Sequence, residues 1–70
     1  MAEYVYYVVD SSFILRVWST NAFRAERLGR DGNWSNYPYP EDAAYNGRQI
    51  PFEEVNATAK ELWDLNPNSS

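Results

Sequence analysis

Ser11, Ser12, Ser19 and Ser35 are the hydroxyls that could act as nucleophiles by residue type. A serine needs a neighbouring base to attack. The chain has no His and no Cys, which removes the commonest general base, thiolate chemistry, zinc-finger ligation and iron–sulfur ligation. Lys60 would have to lose its hydration to serve as a base, and its neighbours Glu61 and Asp64 put it on a charged helix face. These serines therefore read as turn and cap residues.

Carboxylates are the second resource. Glu41/Asp42, Glu53/Glu54 and Glu61/Asp64 form local pairs. A pair does acid–base work when its environments split the two pKa values. Here each pair falls at a helix start or on a polar face, where solubility and the helix dipole account for it. An enzyme using carboxylate and Tyr groups stays as a second alternative. Asp31, Asn33 and Glu41/Asp42 could offer oxygen ligands to a hard cation, but "DGNWSNYPYPED" lacks the alternating acidic loop pattern that such sites use. Gly29, Gly32 and Gly47 are spaced for turns and not for cradling phosphate. The expectation is no catalytic residue, no metal and no cofactor.

The third resource is aromatic. Three Trp, six Tyr and three Phe stand in 70 residues. Tyr4, Tyr6, Trp18, Trp34, Tyr37, Tyr39 and Tyr45 exceed what one small core uses. Arg16, Arg24, Arg27 and Arg30, near Trp18, Phe23 and Trp34, resemble a stacking platform for single-stranded nucleic acid. Charge opposes that reading. Residues 1–40 balance four Arg against Glu3, Asp10, Glu26 and Asp31, and residues 41–70 hold the whole net charge of −4. An acidic half repels a phosphate backbone. Trp, Tyr and Arg are also the types enriched at the centres of protein interfaces. The leading expectation is a small non-enzymatic protein-binding module or regulator. Its expected contacts are Tyr4, Tyr6, Arg16, Trp18, Trp34, Tyr37 and Tyr39, and its partner is another protein or a second copy in a homodimer. A nucleic-acid or carbohydrate binder stacking on Trp18 and Trp34 is the alternative.

These side chains need elements to hold them. "EYVYYVV" and "FILRVWS" are rich in β-branched and aromatic residues and are joined by "DSS" (10–12), which reads as a β-hairpin. Phe13, Leu15 and Val17 make one wholly apolar face. Ile14, Arg16 and Trp18 make a mixed one, where the Arg16 stem lies against Tyr rings. The apolar face is assigned to the core. "AFRAERLGR" (22–30) admits strand or helix, with strand favoured because Asp31-Gly32 reads as a hairpin turn. Phe23 and Leu28 cannot both point inward on one period, so a bulge is expected near Glu26–Arg27. A fourth strand follows from Asn33 to Tyr37. Pro38 and Pro40 end the sheet. Glu41 and Asp42 open a short helix that Gly47 stops. "IPFEEVNATAKELWDL" is a helix. Phe52, Val55, Ala59, Leu62 and Trp63 fall within about 100° of arc at 3.6 residues per turn.

The resulting fold class is α+β: a small antiparallel β-meander of three to four strands with one C-terminal α-helix packed on one face. Its apolar stripe is expected on Phe13, Leu15 and Val17. Residues 1–65 form the domain, and 66–70 form a frayed polar tail. A chain this short is marginal alone, and without disulfides its remaining supports are aromatic packing and oligomerisation. "MAEYVYYVVD" has no basic region and no long apolar run, so it does not read as a signal peptide, and no stretch approaches a membrane span. Without a secretion signal, the sequons at Asn33, Asn56 and Asn68 are chance matches. The absence of Cys fits a reducing compartment, and a cytoplasmic location is expected. Size and charge fit a small bacterial protein or a phage-encoded regulator.

Overall fold

A computed structural model describes residues 3–65; the expected polar tail at 66–70 lies outside the described residues. Five strands form one antiparallel sheet: β1 (Tyr4–Val9), β2 (Phe13–Trp18), β3 (Asn21–Leu28), β4 (Trp34–Tyr37) and β5 (Gly47–Ile50). The spatial order is β4-β3-β2-β1-β5. Two helices complete the fold, α1 (Glu41–Asn46) between β4 and β5, and α2 (Val55–Leu65) after a 3₁₀ turn at Phe52–Glu54. The α+β class, the antiparallel meander and the packed C-terminal helix agree with the sequence reading. Among the described residues, no helix is long and apolar enough to cross a membrane.

Each hairpin turn has a local cause. Asp10 and Ser11 both adopt φ of 52°, and the turn closes through the Ser12 N–H donating to the Val9 carbonyl at 2.9 Å. Asp tolerates this left-handed region better than most residues, and the Ser12 hydroxyl bonds the Asp10 carbonyl at 3.1 Å. The β3–β4 connection differs from the expected two-residue Asp31-Gly32 turn. Gly29 and Asn33 close it, through Gly29 N–H to Asn33 O at 2.8 Å, and Gly32 N–H returns to Gly29 O at 2.9 Å. Gly32 takes φ of 86°. This is the three-residue hairpin loop in which the last residue is left-handed, so β3 stops at Leu28 and β4 begins at Trp34.

Residues 21–28 are strand. The bulge lies elsewhere than expected: Val17 pairs with Ala25 but Trp18 pairs with Asn21, so the extra residues are 22–24. The Asn21 side chain accepts the Phe23 N–H at 3.1 Å and holds this bend. From Ala25 onward the alternation runs unbroken, with Ala25 buried on one face and Leu28 on the other. A bulge at Glu26–Arg27 is unnecessary because both faces of the sheet are covered. Phe23 stays outside.

The fifth strand was not anticipated. "GRQI" is too short and too polar to signal a strand, yet it pairs with Tyr6–Val9 of β1 at the edge. Ile50 is buried in the core, so the helical run begins later than expected: Phe52–Glu54 is a 3₁₀ turn and α2 starts at Val55.

The helix also lies on the other face. Val8, Ile14, Leu28 and Ile50 pack beneath Val55, Ala59 and Leu62, flanked by Tyr6, Trp34 and Trp63. Val9, Leu15, Val17 and Ala25 pack with Ala43 of α1, flanked by Tyr7, Phe13 and Tyr37. The Phe13/Leu15/Val17 face thus receives the short helix, and the mixed face receives the long one. The physical reason is the position of Arg16. It pairs with Tyr6 across the β1–β2 ladder, two residues from the Val8–Ile14 pair. Its charge therefore falls beyond the Ile14/Leu28 patch that α2 covers. Arg30 fixes the far end of α2 by donating to the Trp63 carbonyl at 3.2 Å, where a cation meets the negative end of the helix.

Candidate functional site

Five of the seven residues singled out by sequence share the α2 face. The Arg16 guanidinium lies 4.1 Å from the Tyr4 ring centre and 4.4 Å from that of Trp34. Its Nε is 2.7 Å from Glu26 Oε1. Glu26 faces Arg16 because β2 and β3 pair these two residues directly. Tyr4 meets Trp18 edge-on at 5.3 Å, and Tyr6 contacts Tyr4 at 6.3 Å, Trp34 at 5.9 Å and Phe52 at 5.3 Å. Arg24 lies 5.1 Å over Trp18. All five are only partly exposed. Their faces are largely engaged with one another, so this cluster braces the end of the sheet that α2 leaves open. A guanidinium between two rings and on a carboxylate is held by cation–π attraction and by a charge-assisted hydrogen bond.

Tyr37 and Tyr39 belong to the opposite side. Tyr37 packs against Phe13 at 5.5 Å and Tyr39 at 5.8 Å, and its hydroxyl donates to Asp42 Oδ2 at 2.5 Å. This bond ties β4 to α1. The Asp42 carboxylate, accepting that proton, pushes the Tyr37 phenol up to about 12, with burial and the Asp42 charge adding to the effect. Tyr39 is 57% exposed. The stretch from Trp34 to Tyr39 therefore divides: Trp34 closes one core, Tyr37 closes the other, and Tyr39 points out.

Three aromatics outside the expected contact set are strongly exposed. Phe23 is 90% exposed, Tyr45 83% and Phe52 67%. Phe52 was expected on the helix stripe, but the 3₁₀ turn rotates it off that register. The signal for Phe23 was present in the parity conflict with Leu28; its resolution is that Phe23 is the residue left out. Beside Phe23 lies a hollow of about 260 Å³ lined by Tyr7, Val17, Pro40, Glu41, Ala43 and Ala44. It exists because a six-residue helix with Ala43 as its buried contact covers only part of that face.

The chemistry-bearing groups sit apart. Ser12 and Ser19 hydroxyls bond backbone carbonyls of Asp10 and Glu3. Glu41, Glu53, Glu54, Glu61 and Asp64 are exposed. The Asp31 carboxyl is held below the usual carboxylate range by hydrogen bonds from the backbone and side chain of Asn33, which closes a turn. Among the described residues, no cluster of three acidic side chains is placed to hold a metal ion. The chain matches no protein-family model, no curated protein and no solved structure.

Proposed function

We propose that the chain is a non-enzymatic protein-binding module whose first partner is a second copy of itself, docked through the α1 side. The observation that carries this reading is Phe23, 90% exposed on the rim of an apolar hollow. A two-fold contact uses the same patch on both subunits, so a projecting group and a recess must share one surface. Phe23 and its neighbouring hollow meet that condition: each copy inserts its ring beneath the other copy's α1. Tyr39 and Tyr45, at the two ends of α1, supply aromatic surface around the contact, the residue type favoured at interface centres. The half-open face of a small core is completed in the same step. Stacking of bases or sugars on Trp18 and Trp34 is less well supported, because Arg24 and Arg16 already lie over those rings.

Sedimentation across a dilution series tests the proposal. The expected result is a dimer that dissociates on dilution, with Phe23→Ser monomeric at every concentration and unchanged in circular dichroism. A wild-type chain that stays monomeric at its highest soluble concentration overturns it, and so does a Phe23→Ser variant that dimerises as well as the parent.

A further inference from the structure

A second hollow lies on the opposite side of the sheet, between the start of α2 and the β3–β4 hairpin, and it does not depend on the self-association reading. Its volume is about 340 Å³; Trp34, Phe52 and Trp63 form its walls, Leu28 and Val55 its base, and Glu53 stands at its edge. Trp63 stands two turns after Asn56 on the same helix face, and its side chain leans toward the N-terminus, so both residues line the hollow. We propose that this hollow binds the cationic side chain of a lysine or arginine presented by a basic partner polypeptide.

Three features support that occupant. The volume lies within the range of small-ligand sites and holds one extended side chain with its terminal charge. Indole and phenyl faces carry negative potential, and cations over such rings are attracted, most strongly over Trp. Trp34 shows this behaviour already: the Arg16 guanidinium, its charge matched by Glu26, lies 4.4 Å over it, and with that place taken the incoming cation is received by Trp63 and Phe52, with Trp34 as the side wall. The surroundings are acidic. Glu53 and Glu54 open the 3₁₀ turn, and Glu61 and Asp64 lie further along α2 beside the one cation of that helix, Lys60, so this stretch stays net acidic. Arg30, the nearby cation, keeps its charge but is held on the Trp63 carbonyl at the far end of α2, away from Glu53 and Phe52 at the start of the helical run. An apolar stem would rest on Leu28 and Val55 while its charge meets the rings and the Glu53 carboxylate. A long-range attraction of a basic polypeptide to this acidic half would assist the encounter.

The test is a titration of the full chain with a short oligolysine peptide, followed by NMR of the backbone amides and the three indole N–H signals. An oligonorleucine peptide, solubilised by neutral polar ends, serves as the uncharged control. The expected result is saturable shifts at Trp34 and Trp63 with Trp18 unmoved, and no response to oligonorleucine. Phe52→Ala removes one wall at an exposed position, and it is expected to weaken binding by about tenfold while the unligated spectrum stays folded. Glu53→Gln should weaken it too. Shifts spread evenly along Glu61 and Asp64 with no effect of Phe52→Ala would show general charge attraction and overturn the site. Equal binding of oligonorleucine, or no saturation, would overturn it as well.

Discussion

The two faces of the sheet solve the same problem with different materials. On one, an eleven-residue helix lays Val55, Ala59 and Leu62 over Val8, Ile14, Leu28 and Ile50, and a brace of rings around Arg16 finishes the uncovered end. On the other, a six-residue helix contributes Ala43, and Phe13, Tyr7 and Tyr37 supply the remaining cover. The more uniformly apolar strand face received the smaller helix. What decides the match is the location of polarity along the strand, not its average. Arg16 stands past the edge of α2, in a slot made by Tyr4, Trp34 and Glu26, so its charge costs the helix contact nothing. The other face carries its cation at the rim, with Arg27 4.7 Å over the Phe13 ring, and its short helix leaves a hollow beside Phe23.

The sharpest way to break this comparison is to cut one buried side chain from each face. Ile14 and Leu15 are adjacent in β2, fully enclosed, and point to opposite sides. Ile14→Ala and Leu15→Ala are each expected to cost about 2–5 kcal/mol, the usual range for such truncations, read from urea midpoints. In a domain of this size that approaches the whole stability. If Leu15→Ala costs less than half of Ile14→Ala, the α1 side is a partial core that water already reaches. Equal costs establish two cores of similar weight.

A smaller effect is confined to one face. Gly47 follows α1 with extended backbone at φ −99°, so left-handed freedom is not why glycine stands there. A Cβ at Gly47 would collide with the Ala43 carbonyl oxygen. Gly47→Ala must push α1 off the sheet, and overpacking of this kind costs about 1–3 kcal/mol. The expected signature is local: resonances of Tyr7 and Tyr37 move while those of Trp34 and Trp63 hold. Movement at both sets would mean that the faces act as one unit.

This glycine also marks how far the sequence could be read. Strand composition, the prolines and the 3.6-residue stripe were legible, because each is written into consecutive residues. Four strands, α1 and most of α2 followed. The strand Gly47–Ile50 did not, since its stability comes from pairing with β1 and from one buried side chain, Ile50. The choice of face for α2 was hidden for a related reason. Both faces of β1 and β2 carry enough apolar area, and only the three-dimensional reach of Arg16 to Tyr4, Trp34 and Glu26 separates them. Of the site, the Tyr4/Tyr6/Arg16/Trp18 grouping was readable from strand parity, while the place of Trp34 beside Arg16 was not. The exposure of Phe23 was marked by its parity conflict with Leu28, but the place of the bulge at 22–24 was not; the 3₁₀ turn that exposes Phe52 has no distinct sequence mark.

The smallest expected effect on stability concerns the strap that holds α1 to β4. Tyr37 donates to Asp42, and that carboxylate raises the phenol from 10.0 to about 12. A raised folded-state value means that the neutral phenol is favoured by folding. Its contribution is complete below the ordinary value of 10.0 and is lost as the pH climbs through about 12. Asp42→Asn keeps the shape and removes the charge. The Tyr37 titration, followed by phenolate absorbance, should fall back toward 10.0, and neutral-pH stability should drop by about 1 kcal/mol. The absorbance trace separates two origins of the strap. If the latest-titrating tyrosine stays near 12 in Asp42→Asn, then packing against Phe13 and Tyr39 holds the proton, and the α1 face is apolar in its fastening as well as its core. If it moves, a single charged hydrogen bond does for the short helix what the Arg16 brace does at the open end of the other face.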